Sequence, residues 1–260
     1  PQTAAIMIVH YAGRPVDMDP IIALGYPVIE DAAHAVDSRY GGRACGTIGD
    51  IGIYSFDAVK NLTAGSGGAI TARDPTLLEA ASALRYCGLG QSGHQLAARA
   101  DAVRWWEPAV REPFLKLLPS DLNAAIGQIQ LARLDALQAR RRELWKQYET
   151  QLAALDWLRA PPPFEETTSS RHSYFTLLVR TARRDALADH LLRHDVYTTL
   201  RFHPVHRARP YTSARCAPTM IGTEALAEEG LNLPLHPRLS DDDVGRVVAL
   251  ITDFGRTHGL

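Results

Sequence analysis

The sequence predicts an α/β protein: a mainly parallel sheet between helices, then a smaller α+β unit toward the C-terminus. Three observations predict it. Four short apolar runs fall within the first 71 residues, punctuated by glycine, proline and polar residues. Runs so uniformly apolar belong to strands covered on both faces, as in a sheet between helical layers. A long helical pattern then fills residues 120–152, and the proline-rich "APPPFEETTSSRH" separates it from a mixed C-terminal part. Three segments are therefore expected: a sheet-bearing part over 1–119, a connecting helix over 120–152 and a small α+β domain over 153–260.

Each element has its own signal. Ala4–Val9 is an apolar strand closed by His10, Tyr11 and the turn residues Gly13-Arg14-Pro15. Asp17–Leu24 fits a short helix, and Pro27–Glu30, Ile51–Phe56 and Gly68–Thr71 fit three further strands. Pro75 sits where a helix starts, and Gly88 and Gly90 end that helix after Cys87. Residues 91–119, with Trp105-Trp106 and several prolines, read as an irregular excursion of a length that often carries function. Ser120 or Asp121 can cap the long helix. Leu122, Ile126, Ile129, Leu137, Leu144 and Tyr148 recur on one face, and "ARRRELWK" supplies the wet one. Strands near Ser173–Arg180 and Tyr197–Arg201 alternate with helices near Arg184–His194 and Ser240–Phe254. Asp241–Asp243 favour the positive end of the last helix.

Composition excludes several classes. The 260 residues are 46% hydrophobic and 22% charged, with 28 basic against 29 acidic residues and a net charge of -1, so nothing marks a nucleic-acid or anionic-membrane binder. Cys45, Cys87 and Cys216 show no CxxC spacing, which fits a reducing, cytoplasmic setting and argues against structural zinc. No run approaches the roughly 20 apolar residues of a membrane span. The opening "PQTAAIMIVHYAG" lacks a secretory signal and reads as a strand entered in mid-fold, which implies further chain before residue 1.

Two residues stand out chemically. "VIEDAAHA" places Glu30 and Asp31 directly after an apolar strand. A lone aspartate is most often loop decoration. At the carboxyl end of a strand, where open α/β sheets bind ligands, it suits a partly buried cation such as a protonated pyridine nitrogen. Lys60 alone would read as solvated surface. Here it follows "IGIYSFDAV" and precedes "NLTAGSGGAI", whose glycines let backbone approach a ligand. A lysine desolvated in such a site can lose its proton and attack a carbonyl. Ser55 can donate to a phosphate or simply occupy a polar strand face. His34 is as readily a core histidine as a functional one. "AGSGGA" matches neither GxxxxGK[ST] nor GxGxxG, so a bare glycine turn is the plainer reading of it alone.

Taken together, the strand, "EDAAHA", "DIGIYSF", Lys60 and the glycine-rich turn resemble the DegT/DnrJ/EryC1/StrS family of pyridoxal-phosphate (PLP) aminotransferases acting on nucleotide-linked keto-sugars. "SDLNAAIGQIQLARLDAL" is similar to the family's long central helix, and "HSYFTLLVR", "YTTLRFHPVH" and "LNLPLHPRLSDDDV" to its C-terminal segments. The resemblance implies a fold type I architecture, with residues 1–119 as the remaining part of the large PLP-binding domain. It implies that Lys60 forms the Schiff base with PLP and later shuttles a proton. Asp31 would hold the pyridine nitrogen protonated so that the ring acts as an electron sink. His34 stands near the ring where many relatives carry glutamine, and Ser55 would bind the cofactor phosphate. His203, His206 and Tyr211 fall in the region lining the sugar-nucleotide pocket.

The implied reaction passes an amino group from glutamate, through PLP, to a keto-sugar on dTDP or UDP. The "YTTLRFHPVH" segment leans toward dTDP-4-keto-6-deoxyhexoses of deoxysugar and antibiotic biosynthesis. A homodimer with shared active sites is implied, with no metal. Three departures stand against the pattern: the family's N-terminal portion is absent, Ser66 replaces a usual glutamate, and Leu118 replaces an asparagine that reaches the partner's phosphate site. A sugar dehydratase of the same fold carries histidine at the lysine position, and Lys60 argues against it. A Rossmann dehydrogenase lacks support without GxGxxG. The remaining rival is a non-catalytic or regulatory protein that kept the fold.

Overall fold

A computed structural model describes residues 2–90, 94, 97–98, 104, 106–107, 110–213 and 220–260. The chain divides into two compact units, Pro1–Leu134 with Glu166–His172, and Asp135–Glu165 with Ser173–Leu260. Parts of the excursion expected at 91–119, Trp105 among them, and Cys216 lie outside the described residues.

In the first unit, β1 (Ile6–Val9), β2 (Val28–Asp31), β5 (Ile51–Ser55) and β6 (Gly68–Ala72) form one sheet in the order β1-β2-β5-β6. β1, β2 and β5 run parallel, and β6 is an antiparallel edge. The short α1 (Met18–Ile22) lies between β1 and β2, and the two-residue strands β3 (Arg39–Tyr40) and β4 (Arg43–Ala44) form a small hairpin between β2 and β5. α2 (Pro75–Leu84) follows β6, its N-terminus capped by Asp74, whose carboxylate accepts from the Thr76 N–H at 2.9 Å.

Alternation along the strands gives the sheet two unlike faces. On one, Met18, Val28 and Ile48 are buried with Ile8, Val16, Ile21 and Tyr40 against them. The other carries Met7, Val9 and Ile70, which stay 58%, 46% and 53% exposed. Among the described residues this second apolar stripe thus stays partly open.

The single helix expected over 120–152 is two, α3 (Asp121–Ala132) and α4 (Leu134–Leu152). They part at Arg133, where φ of -103° and ψ of -1° distort the last turn and the N–H goes to the Gln130 carbonyl three residues back. α3 leaves Leu122, Ile126 and Ile129 exposed, whereas Leu144 and Tyr148 on α4 are fully buried. The second unit packs α4, α5 (Arg184–Arg193) and α7 (Asp241–Thr257) on a two-stranded antiparallel sheet, β7 (Leu177–Arg180) with β8 (Gly230–Leu233), around Leu187, Leu191, Val244, Ile251 and Phe254. α6 (Ile221–Glu229) leads directly into β8. α7 starts in a capping box: Asp243 N–H donates to Ser240 Oγ at 3.1 Å, and Ser240 N–H to Asp243 Oδ2 at 2.8 Å.

Two expectations need correction here. The strand expected near 197–201 is only an isolated bridge between Thr199 and Asn232. The ladder stops because the Arg201 N–H is taken by the Asn232 side-chain oxygen at 2.9 Å rather than by a main-chain acceptor. The "ARRRELWK" run is not a wet face throughout: Arg141, Leu144 and Trp145 are buried. Among the described residues no helix is long and apolar enough to cross a membrane.

Candidate active site

The carboxyl ends of β2 and β5 are side by side. Asp31 pairs in register with Ile53, so Asp31, Ile53 and Ser55 project from the same face, the one left apolar and open by Met7, Val9 and Ile70. Asp31 is half-buried and its Oδ1 accepts from the Ala33 N–H at 2.9 Å, which fixes the carboxylate at the strand end. His34, three residues on, is 6% exposed and meets the Tyr11 ring edge-on, with centroids 5.8 Å apart.

Lys60 rides on the loop after β5. Phe56 closes that loop at its base: its N–H donates to the Gly67 carbonyl at 2.9 Å, and its carbonyl accepts from Ala64 at 2.9 Å. Within the loop, Lys60 N–H bonds the Asp57 carbonyl at 3.0 Å, and Asn123 Nδ2 on α3 donates to the Ala64 carbonyl at 2.7 Å. Lys60 is half-buried. Ser55, at the strand's last position, accepts from the Asp57 N–H at 3.4 Å.

Glu30 does something different from its neighbour, and sequence reasoning missed it. It points to the other face, fully buried. Its Oε1 accepts from the Ile48 and Gly49 N–H groups, both at 2.6 Å, and its Oε2 from Gly46 N–H at 2.7 Å and His10 Nε2 at 2.9 Å. The Val16 N–H donates to His10 Nδ1 at 3.0 Å, which leaves the ring proton on Nε2, facing Glu30. Burial pulls the Glu30 pKa up, but the His10 hydrogen bond and the three backbone donors outweigh it and hold the carboxyl below its ordinary value. Loop 45–49 thus lies clamped on the sheet. Gly52, beside Glu30 in the ladder, makes room for it: a Cβ there would stand 1.9 Å from the Gly46 oxygen. Tyr54 Oη donates to the Cys45 carbonyl at 2.5 Å, and the Thr71 hydroxyl to that of Gly46. The signal was present, because adjacent strand residues must face opposite ways.

His203, His206 and Tyr211 lie in the second unit, His206 and Tyr211 within two successive 3-10 turns, Val205–Arg207 and Arg209–Tyr211. His203 and Tyr211 are exposed. His206 is bound through Nε2 to Glu224 on α6, and Arg207 reaches Glu224 and also Glu228, the latter at 2.9 Å. Ser66 and Leu118 are both exposed. Among the described residues no cluster of His, Cys, Asp and Glu could hold a metal ion.

The mainly parallel sheet with its flanking helices is the scaffold of a fold type I aminotransferase, and the chain belongs to the DegT/DnrJ/EryC1/StrS aminotransferase family, whose model matches residues 1–252. Enzymes of this family depend on PLP. The chain is 36% identical over 252 residues to a dTDP-4-dehydro-2,3,6-trideoxy-D-glucose 4-aminotransferase of Saccharopolyspora spinosa, and the match covers 95% of this chain and 64% of that protein. In structure it is similar to the aminotransferase TlmJ of Streptoalloteichus hindustanus, with a TM-score of 0.88, 38% identity and cover of 100% of this chain and 68% of that one. It is also similar to DesV of S. venezuelae, solved in complex with a ketimine intermediate, with a TM-score of 0.83, 29% identity and cover of 98% and 66%. The chain therefore spans about two thirds of the length of these relatives.

Proposed function

We propose that this protein is a PLP-dependent aminotransferase that moves an amino group from glutamate to a dTDP-linked 4-keto-6-deoxyhexose, as a cytoplasmic homodimer in deoxysugar biosynthesis. The observation that carries the reading is the register of β2 on β5, which sets Asp31 and Ser55 on one face at the strand ends, with Lys60 on the closed loop that follows. These residues fit the cofactor: a half-buried carboxylate suits a protonated ring nitrogen, and a strand-end hydroxyl suits a phosphate. When bound, PLP supplies an aldehyde that accepts an amine and a ring that takes up the electron pair released at the reacting carbon.

The chain's own residues then have distinct tasks. Lys60 would supply the nucleophilic amine and, once released, its Nζ would carry the proton between the substrate carbon and the cofactor's C4′. Asp31 would keep the ring nitrogen charged, and the Ala33 N–H holds its carboxylate in place. Ser55 would donate to the phosphate. His34, packed under Tyr11, walls one side. His203, His206 and Tyr211 are assigned to sugar-nucleotide contacts. The keto-sugar class is supported by the 36% identity to the 4-aminotransferase above. A second copy is supported by the apolar face of α3, where Leu122, Ile126 and Ile129 stand exposed one turn apart.

Borohydride treatment of PLP-loaded protein tests the reading: a pyridoxyl group is expected on Lys60 in the mass spectrum. Lys60→Ala should lose the label and transamination while keeping its circular dichroism. Asp31→Ala should retain the cofactor less firmly and turn over at least about a hundredfold more slowly, as loss of a charge-assisted contact to the reacting ring implies. A protein that takes up no PLP would favour the non-catalytic alternative, to which Leu118 in place of asparagine points.

A further inference from the structure

His10 grips β2 twice. Its side chain is fully buried, with Nε2 donating to Glu30 and Nδ1 accepting from the Val16 N–H. Its main chain reaches the next residue of the same strand: the His10 N–H donates to the Asp31 carbonyl at 3.1 Å. Glu30 faces the closed side of the sheet and Asp31 the open side, so one residue of the β1 end is tied to both neighbours. The turn that follows is tied as well. Gly13 N–H donates to the His10 carbonyl at 3.2 Å, and the Gly13 carbonyl accepts from the buried Ser38 hydroxyl at 2.7 Å. Between them, Tyr11 meets His34 edge-on.

Any residue at position 10 could supply the N–H to Asp31. The imidazole adds something else. Glu30 already accepts from the three backbone N–H groups of Gly46, Ile48 and Gly49, so loop 45–49 is clamped without a fourth donor. Of the four donors, His10 is the one that comes from β1. A buried polar pair is a poor source of stability, but when fully satisfied it selects one arrangement of the elements it joins. Here the arrangement is the height of the β1 end against β2. Asp31 is fixed around that point: its carbonyl by His10, its Oδ1 by the Ala33 N–H, and the residue after it by Ala32 N–H donating to the Ile53 carbonyl at 2.9 Å. A charge-assisted contact from such a carboxylate to a ring nitrogen needs placement to within ~0.5 Å.

We propose that His10 is a positioning residue for the cofactor: by locking the end of β1 to Glu30, it holds Asp31 where its carboxylate meets the pyridine nitrogen. The inference rests on the aminotransferase reading above. His10 acts wholly through Asp31, from the opposite face of the sheet.

Two substitutions divide the bonds of the ring. His10→Gln offers an amide N–H in place of Nε2–H and keeps the Glu30 contact; His10→Asn offers an oxygen in place of Nδ1 and keeps only the Val16 contact. Each is compared with wild type, as the whole chain, by three measurements: amide exchange at Ala33 without cofactor, the PLP dissociation constant, and NMR of ring-labelled PLP, which reads the proton on the pyridine nitrogen. In His10→Asn, Ala33 exchange should quicken and PLP should bind about tenfold more weakly. The ring nitrogen should give up its proton about one pH unit lower, because a displaced carboxylate holds it less firmly. His10→Gln should stay within about threefold of wild type in affinity. A merely structural role would lower the unfolding midpoint of either variant and leave the ring nitrogen unchanged. Should His10→Asn not fold, His10→Leu, which also releases Glu30, is read in its place. Ala33 exchange and ring protonation equal to wild type in a variant that has lost the Glu30 contact overturn the proposal. A wild type that takes up no PLP overturns the aminotransferase reading instead, and Ala33 exchange then decides alone whether His10 holds Asp31.

Discussion

Replacing Glu30 by glutamine changes one oxygen for an NH2 and nothing in size, so its effect isolates the four hydrogen bonds that the carboxylate accepts. Whichever way the amide is turned, its nitrogen confronts two donors. In one orientation these are Ile48 N–H and Gly49 N–H; in the other, Gly46 N–H and His10 Nε2–H. Turning the histidine proton to Nδ1 offers no escape, because Nδ1 already accepts from Val16. Hydrogen bonds to charged groups contribute about 1.5–3 kcal/mol each, and removal of the buried charge returns part of the loss. A net cost of about 3 kcal/mol follows, felt where loop 45–49 rests on the sheet. Hydrogen exchange of that loop reads it directly, and amide exchange there should quicken by about a hundredfold at pH 7. The difference has a defined pH dependence. The folded carboxyl titrates below its ordinary value of 4.5, so its contribution is complete above that value and is lost as pH falls through the folded pKa. Wild type and Glu30→Gln should converge in acid. An acceleration below about tenfold, or a difference that persists unchanged in acid, would refute the reasoning.

Two further perturbations probe the packing. Gly52→Ala sets a Cβ 1.9 Å from the Gly46 backbone oxygen, where no flexible side chain can yield, and should lower stability by about 3 kcal/mol or more in urea unfolding; a midpoint equal to wild type would show that the loop moves freely off the sheet. Tyr148 is fully buried and its hydroxyl meets no acceptor, so Tyr148→Phe should raise stability by about 1 kcal/mol; a clear loss of thermal midpoint would mean that the hydroxyl is satisfied.

The first unit's strands were legible because apolar runs bounded by glycine and proline can be little else. The pairing of Asp31 and Ser55 at one edge was legible only as a resemblance, since the register that brings them together is a long-range fact. β8 went unread: "GLNL" has four residues and follows an acidic helix without a turn signal. The break at Arg133 has no proline or glycine to announce it. Arg141 was assigned to solvent because three adjacent arginines look like a charge run, although 137, 141, 144 and 148 share one helical stripe. The sequence carries no hint of the bond from His206 to Glu224, eighteen positions away on another element.

The neighbouring acids of β2 make this strand unusually intolerant of insertion or deletion. Sliding it one way would send Glu30's partners an aspartate too short to reach them and set Ala32 where Asp31 stands; sliding it the other way would set a glutamate there and hand Glu30's partners an isoleucine. The hydrogen-bonded scaffold beneath the sheet and the chemistry above it would fail in the same step. Length changes upstream of Val28 should therefore be absorbed in the turn at Leu24–Pro27 and not in the strand itself.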